Sequence, residues 1–255
     1  MAPSRPPSAI EDIWSRLRAL TAARIGLDRS GSSLATAPLL EFRLAHARAR
    51  DSVNAAIDVS RLAAELAGHG LPIVAIDSAA PDRRTYLLRP DLGRRLGPAA
   101  QKTLRPHTGH YDLVVVVADG LSARAADRHV PPLLATLAPA LRAERWSLAP
   151  LVIVRQGRVA IGDSVAAELG ARAVLVLLGE RPGLSAPVSL GAYLTWRPVP
   201  QTTTDADRNC ISNMRAGGLG YEEAASRLVY LLCEMRKRNV SGVALKDESG
   251  SRLLM

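Results

Sequence analysis

The spacing of apolar residues changes near residue 58. Before it they recur at helical intervals. Ile10, Ile13, Trp14, Leu17 and Leu20 trace one face after Ser8-Ala9-Ile10-Glu11, which reads as a capping box, while residues 1–8 read as disordered. Thr36 and Pro38 open a second helix that runs through Val53, and residues 59–67 predict a third, stopped by Gly68 and Gly70. After it, short unbroken apolar runs alternate with helical stretches: residues 73–76, 112–118, 151–154, 173–178 and 189–196. Runs without polar alternation predict strands buried on both faces, the mark of a parallel sheet covered by helices. Residues 89–96 read as loop or short helix, 164–169 as a helix, and 221–238 as the last helix, with Glu222 and Glu223 at its start and Arg236, Lys237 and Arg238 at its end, as the helix dipole favours. The predicted fold is α/β: a Rossmann-like three-layer parallel sheet (59–255) preceded by a small N-terminal helical domain (1–58) suited to partner contact.

Composition narrows the class. A 47% hydrophobic content and mean hydropathy of +0.05 suit a globular protein. The longest apolar runs fall far short of the ~20 residues of a membrane span, and the N-terminus lacks the apolar core of a secretory signal. Two cysteines make no disulfide framework, which points to a reduced, cytoplasmic chain. The net charge of +9 permits an anionic partner, but the arginines are scattered and there is one Phe, so nucleic acid is not expected.

Candidate chemistry collects at strand ends. Asp119-Gly120, the segment from Gly157 to Asp163, and Gly179-Glu180-Arg181-Pro182-Gly183 all follow predicted strands, where ligands of open parallel sheets lie. Small residues there let a ligand approach the backbone. No Gly-x-Gly-x-x-Gly, phosphate-binding Walker loop or Gly-x-Ser-x-Gly is present. The glycines and arginines of residues 24–33 follow no strand, so connection or partner contact is the better reading there. His107 and His110 lack a set of further metal ligands and read as an exposed loop. Asp119 and Ser122 lack a histidine at activating spacing, which argues against a hydrolase. Glu180-Arg181 reads either as a site or as an ion pair at a strand end. Cys233 reads as a small core hydrophobe; Cys210, in the polar segment 208–213 taken for a loop, is open between packing and a site role.

Several of these strings together resemble the small (light) subunit of ethanolamine ammonia-lyase: Arg24-Ile25-Gly26-Leu27, residues 44–51, residues 118–123, residues 179–184 and Arg208-Asn209-Cys210-Ile211-Ser212-Asn213. They stand in the family's order and cover the chain from about Arg24 to Lys246. The resemblance implies a lyase that converts ethanolamine to acetaldehyde and ammonia with adenosylcobalamin. It implies a TIM-barrel large subunit that binds substrate, in a hetero-oligomer without which this chain is inactive, and a Rossmann-like wall of the cobalamin site supplied by residues 59–255. It further implies cofactor contacts at Val159, Glu180 and Cys210, with no catalytic residue and no metal ligand from this chain. The Asp-x-His-x-x-Gly motif of enzymes that ligate cobalt with histidine is missing, since Asp127-Arg128-His129 is followed by Pro132 where Gly is needed. The cofactor is therefore expected base-on, keeping its own dimethylbenzimidazole. A free-standing cobalamin or nucleotide carrier is the alternative. Location is expected to be cytoplasmic; the family also brings in the bacterial microcompartment, against which the short, Pro-rich N-terminus argues.

Overall fold

A computed structural model describes residues 9–250. Residues 1–8, with Ser8 of the expected capping box, lie outside the described residues. The helical N-terminal part holds α1 (Ala9–Ala19), a two-residue-a-side hairpin of β1 (Arg29–Ser30) and β2 (Ser33–Leu34), and α2 (Thr36–Asn54). Then α3 (Val59–Leu66) starts on Asp58, whose carboxylate accepts the Arg61 amide at 3.0 Å, and leads through a short 3₁₀ turn to Gly70, at φ +71°.

Six strands form the main sheet: β3 (Ile73–Asp77), β4 (Tyr111–Ala118), β5 (Leu151–Arg155), β6 (Ala171–Gly179), β7 (Leu190–Trp196) and β8 (Arg208–Met214), in the spatial order β3-β5-β4-β6-β7-β8. The first four in that order run parallel, while β7 runs against them and pairs antiparallel with both β6 and β8. The sheet is therefore mixed, which corrects the all-parallel expectation. The connection from β6 to β7 spans only residues 180–189, too few for a crossover helix, so the chain turns back alongside β6. The same correction applies to residues 208–213. They form the edge strand β8, not a loop, and their polar side chains are tolerated because the outer positions of an edge strand meet solvent.

Side chains alternate along β4. Leu113, Val115 and Val117 join one apolar cluster with α3, α6 (Ala123–Ala143) and α8 (Tyr221–Arg238), while Val114, Val116 and Ala118 join another with α5 (Ala100–Leu104) and α7 (Ile161–Leu169). Helices thus cover both faces, giving three layers. The helix α6 runs straight through Asp127-Arg128-His129. Pro131, Pro132 and Pro139 lie inside it. The amides they remove cost hydrogen bonds, but the fully buried Val130, Leu133, Leu137 and their neighbours hold the helix against the sheet.

The helices that follow β4 and β5 go to opposite faces: α6 after β4, α7 after β5. Adjacent strands with opposite exits leave a crevice between their carboxyl ends. Asp119 follows directly on β4. Its buried carboxylate accepts the amides of Gln156 at 3.0 Å and Gly157 at 3.1 Å, fastening the end of β4 to the end of β5. Arg83, at the start of α4 (Arg83–Leu88), binds three elements at once: Val53 C=O of α2 at 2.6 Å, Gly120 C=O at 2.8 Å and Gln156 Oε1 at 3.3 Å. Among the described residues no helix is long and apolar enough to cross a membrane.

Candidate functional site

The strand ends close on one another because two glycines leave room. Gly120 sits at φ +54°, and a methyl there would stand 2.3 Å from the carbonyl oxygen of Gly179. A methyl on Gly179 would stand 2.0 Å from the carbonyl oxygen of Ser122. The Leu121 amide donates to Gly179 C=O at 2.9 Å, so β4 and β6 end in contact, and the crevice opens above them.

That crevice encloses about 710 Å³. Leu121, Leu178 and Val159 form its apolar side; Glu180, Arg181, Tyr193, Thr203, Thr204 and Asp205 border it near β6 and β7; Tyr86, Arg94 and Arg158 border it near β5, with Arg208 lining it from the first position of β8. A second hollow of about 700 Å³ continues past Arg94, Ala160 and Thr203 over α7.

Glu180 leaves β6 at its carboxyl end. Its amide donates to Ser189 C=O at 2.9 Å, and its carboxylate accepts the Ser189 hydroxyl and the Asn213 amide, the latter at 3.2 Å. These bonds aim the carboxylate, and a carboxylate has about four acceptor positions, so capacity for further donors remains. Gly191 faces it, where a methyl would meet Oε1 at 3.0 Å. Val159, half-buried, stands just before α7 on the same crevice. Cys210 does not line the crevice. It pairs across β7 and β8 with Tyr193, whose ring does, and it opens onto a neighbouring hollow with Ser212 and Asn213. Burial raises the Tyr193 phenol above its ordinary range, so the hydroxyl stays protonated beside Cys210. Partial desolvation against Tyr193, with the Glu180 carboxylate nearby, raises the thiol, so Cys210, exposed on the edge strand, is a neutral contact and not a reactive thiolate.

A buried ion pair supports the wall. Arg208 donates to Asp163 of α7 at 2.7 and 2.6 Å and to Thr195 Oγ1 at 3.0 Å. Reading the sequence missed Tyr86, Arg94, Arg158 and Tyr193. Arg158 adjoins Val159 and could have been suspected; Tyr86 and Arg94 come from a stretch with no strand to place it, and Tyr193 alternates within an otherwise apolar strand.

Other expected groups find structural roles. Ser122 caps α6, accepting the Ala125 amide at 3.3 Å, and shares a 2.6 Å hydrogen bond with Ser52 of α2. His129 is buried inside α6, where Nδ1 meets the Tyr221 hydroxyl at 2.8 Å. Cys233 is only half-buried, with its thiol 3.6 Å from a Glu144 carboxylate oxygen, so it belongs to the rim and not the core. Among the described residues no group of three or more His, Cys, Asp or Glu could hold a metal ion.

A three-layer α/β domain with its crevice at the carboxyl ends of parallel strands is a ligand-binding domain by architecture. The family model of the ethanolamine ammonia-lyase light chain matches residues 11–246. An ethanolamine ammonia-lyase small subunit of Xanthomonas campestris pv. campestris is 55% identical over 99% of this chain and 93% of its own. Small subunits so named from Pseudomonas syringae pv. tomato and Ralstonia nicotianae are 52% and 50% identical, covering 92% and 98% of this chain and 83% and 93% of theirs. The chain belongs to the ethanolamine ammonia-lyase light-chain family.

Proposed function

We propose that this chain is the small subunit of an adenosylcobalamin-dependent ethanolamine ammonia-lyase and forms one wall of the cobalamin site, with substrate held by a large TIM-barrel subunit. The observation that carries the reading is the crevice itself. It is open on one side, continues into a second hollow, and places an oriented carboxylate opposite aliphatic side chains. Cobalamin is a broad ring edged with amide arms, and these residue types fit it. Glu180 accepts amide N–H groups, Val159 packs on apolar ring atoms, and Cys210, beside Tyr193, contacts the cofactor where the wall passes to β8. The cofactor supplies the radical chemistry when bound. This chain orients it and excludes water on one side.

His129 is engaged by Tyr221 inside α6, which favours a cofactor that keeps its own base on cobalt. The N-terminal unit, residues 1–58, is proposed as the partner-facing part, and 59–255 as the cofactor domain. Leu40, Phe42 and Leu44 are exposed along α2, an apolar surface suited to a large subunit.

The test is co-expression with the large subunit, followed by adenosylcobalamin binding by equilibrium dialysis and ethanolamine turnover. Turnover should need both chains, and Glu180→Ala should raise the cofactor concentration required by about tenfold, the worth of one charge-assisted hydrogen bond. A complex in which Glu180→Ala matches wild type would make Glu180 a turn residue only. Absence of any complex would leave the free-standing carrier.

A further inference from the structure

Three guanidinium groups line the crevice, on Arg94, Arg158 and Arg181, and among the described residues none of them has a carboxylate partner. Arg208 differs, because Asp163 neutralises it. Arg158 is the built one. Its guanidinium lies 4.4 Å above the centre of the buried Tyr86 ring, Nη2 donates to Tyr86 C=O at 3.3 Å, and its amide donates to Gly93 C=O at 2.8 Å. Its Nε is buried with no hydrogen-bond partner. Tyr86 is itself fixed, its hydroxyl donating to Gly157 C=O at 3.2 Å. Gly93 makes the space, since a methyl there would stand 2.8 Å from Arg158 Cγ and 2.9 Å from the Tyr86 ring.

Arg158 is half-buried and has no carboxylate of its own, whereas the neighbouring Arg83 has Asp119 at 3.7 Å, so an anion from a ligand would complete the Arg158 cation. Charge is segregated along the sheet. Arg158 follows β5 and Glu180 follows β6, with β4 between them, so about 10 Å separates the two strand ends.

We propose that Arg158, supported by Arg94, forms a phosphate subsite of this crevice that takes the phosphodiester of the cofactor's nucleotide tail, while Glu180 serves the amide arms. The inference rests on the cobalamin reading above. The phosphodiester is the one anionic group on that ligand's periphery, and a planar guanidinium matches its two free oxygens.

The test compares cobalamin with cobinamide, a corrinoid that lacks the nucleotide tail and its phosphate, binding to the co-expressed complex and measured by equilibrium dialysis. Arg158→Gln should weaken cobalamin about tenfold and leave cobinamide unchanged, and Arg94→Gln, on an exposed turn that cannot disturb folding, should give a smaller loss in the same direction. Equal loss for both ligands, or no loss for either, overturns the subsite while cobalamin binding by wild type keeps the proposed function. If wild type binds neither corrinoid, both fall.

Discussion

The Arg208–Asp163 pair allows a quantitative test of how the crevice wall is held. Their side chains are 3% and 2% exposed, and two hydrogen bonds of 2.6 and 2.7 Å join them in the bidentate geometry of a guanidinium and a carboxylate. Replacing Asp163 with Ala leaves the guanidinium buried with the Thr195 hydroxyl and with Asp205, 3.7 Å away and itself 97% exposed. Asp205 is too well hydrated to compensate. Stranding one member of a buried pair costs about 3–5 kcal/mol, a fifth or more of the roughly 5–15 kcal/mol that stabilises an ordinary domain. Removing both members, as Arg208→Met with Asp163→Leu, should recover most of that loss, because two desolvated charges are exchanged for apolar contacts. The surface pair Arg155–Asp77, 49% and 57% exposed, is the control, and Asp77→Ala should cost no more than about 1 kcal/mol. Urea unfolding of the full chain, followed by the fluorescence of the buried Trp146 and Trp196, gives all four values by linear extrapolation. The reasoning is refuted if Asp163→Ala costs no more than Asp77→Ala, or if the double variant is as unstable as the single one.

Two further outcomes follow from the strand ends. Gly179→Ala should lower stability by about 2 kcal/mol or more, since the carbonyl oxygens of Ser122 and Asp119, at 2.0 and 2.6 Å, belong to backbone that cannot yield, whereas Gly183→Ala, whose nearest atom is 3.8 Å away, should leave the thermal midpoint nearly unchanged. Burial raises the Asp119 carboxyl from 3.8 to about 6 against the opposing amide bonds and Arg83, so its protonated form is the one the fold favours; that contribution is complete below pH ~4 and is lost as pH rises to about 6. Stability measured across that window should fall by up to about 3 kcal/mol from this group, and Asp119→Asn should flatten the profile.

Much of this arrangement was legible in the chain. The unbroken apolar runs marked β4 and β6 because strands covered on both faces need no polar alternation, and the glycines after them marked where backbones meet. What the sequence concealed has physical causes. Pro131 and Pro132 signal a helix end by local rules, but a fully buried apolar face outweighs the lost amides. The polar run from Arg208 looks like a loop because strand pairing supplies its order, and pairing is not local. Tyr86 and Arg158 lie 72 residues apart and became partners only when β5 was set beside β3. Val159 and Glu180 meet on one crevice, while Cys210 stands one strand further out, a displacement that only the antiparallel return of β7 reveals.

The three-way grip of Arg83 makes the end of α2 a reporter for the crevice. Val53 C=O, Gly120 C=O and the Gln156 side chain share one guanidinium, so the strand ends cannot part without also loosening the helix. Amide protons at both places should therefore exchange with solvent as one cooperative unit, and filling the crevice should slow exchange at Ala55, whose amide bonds Asp51 C=O at 3.0 Å. A probe on the outer face of α2, remote from the ligand, would register its arrival.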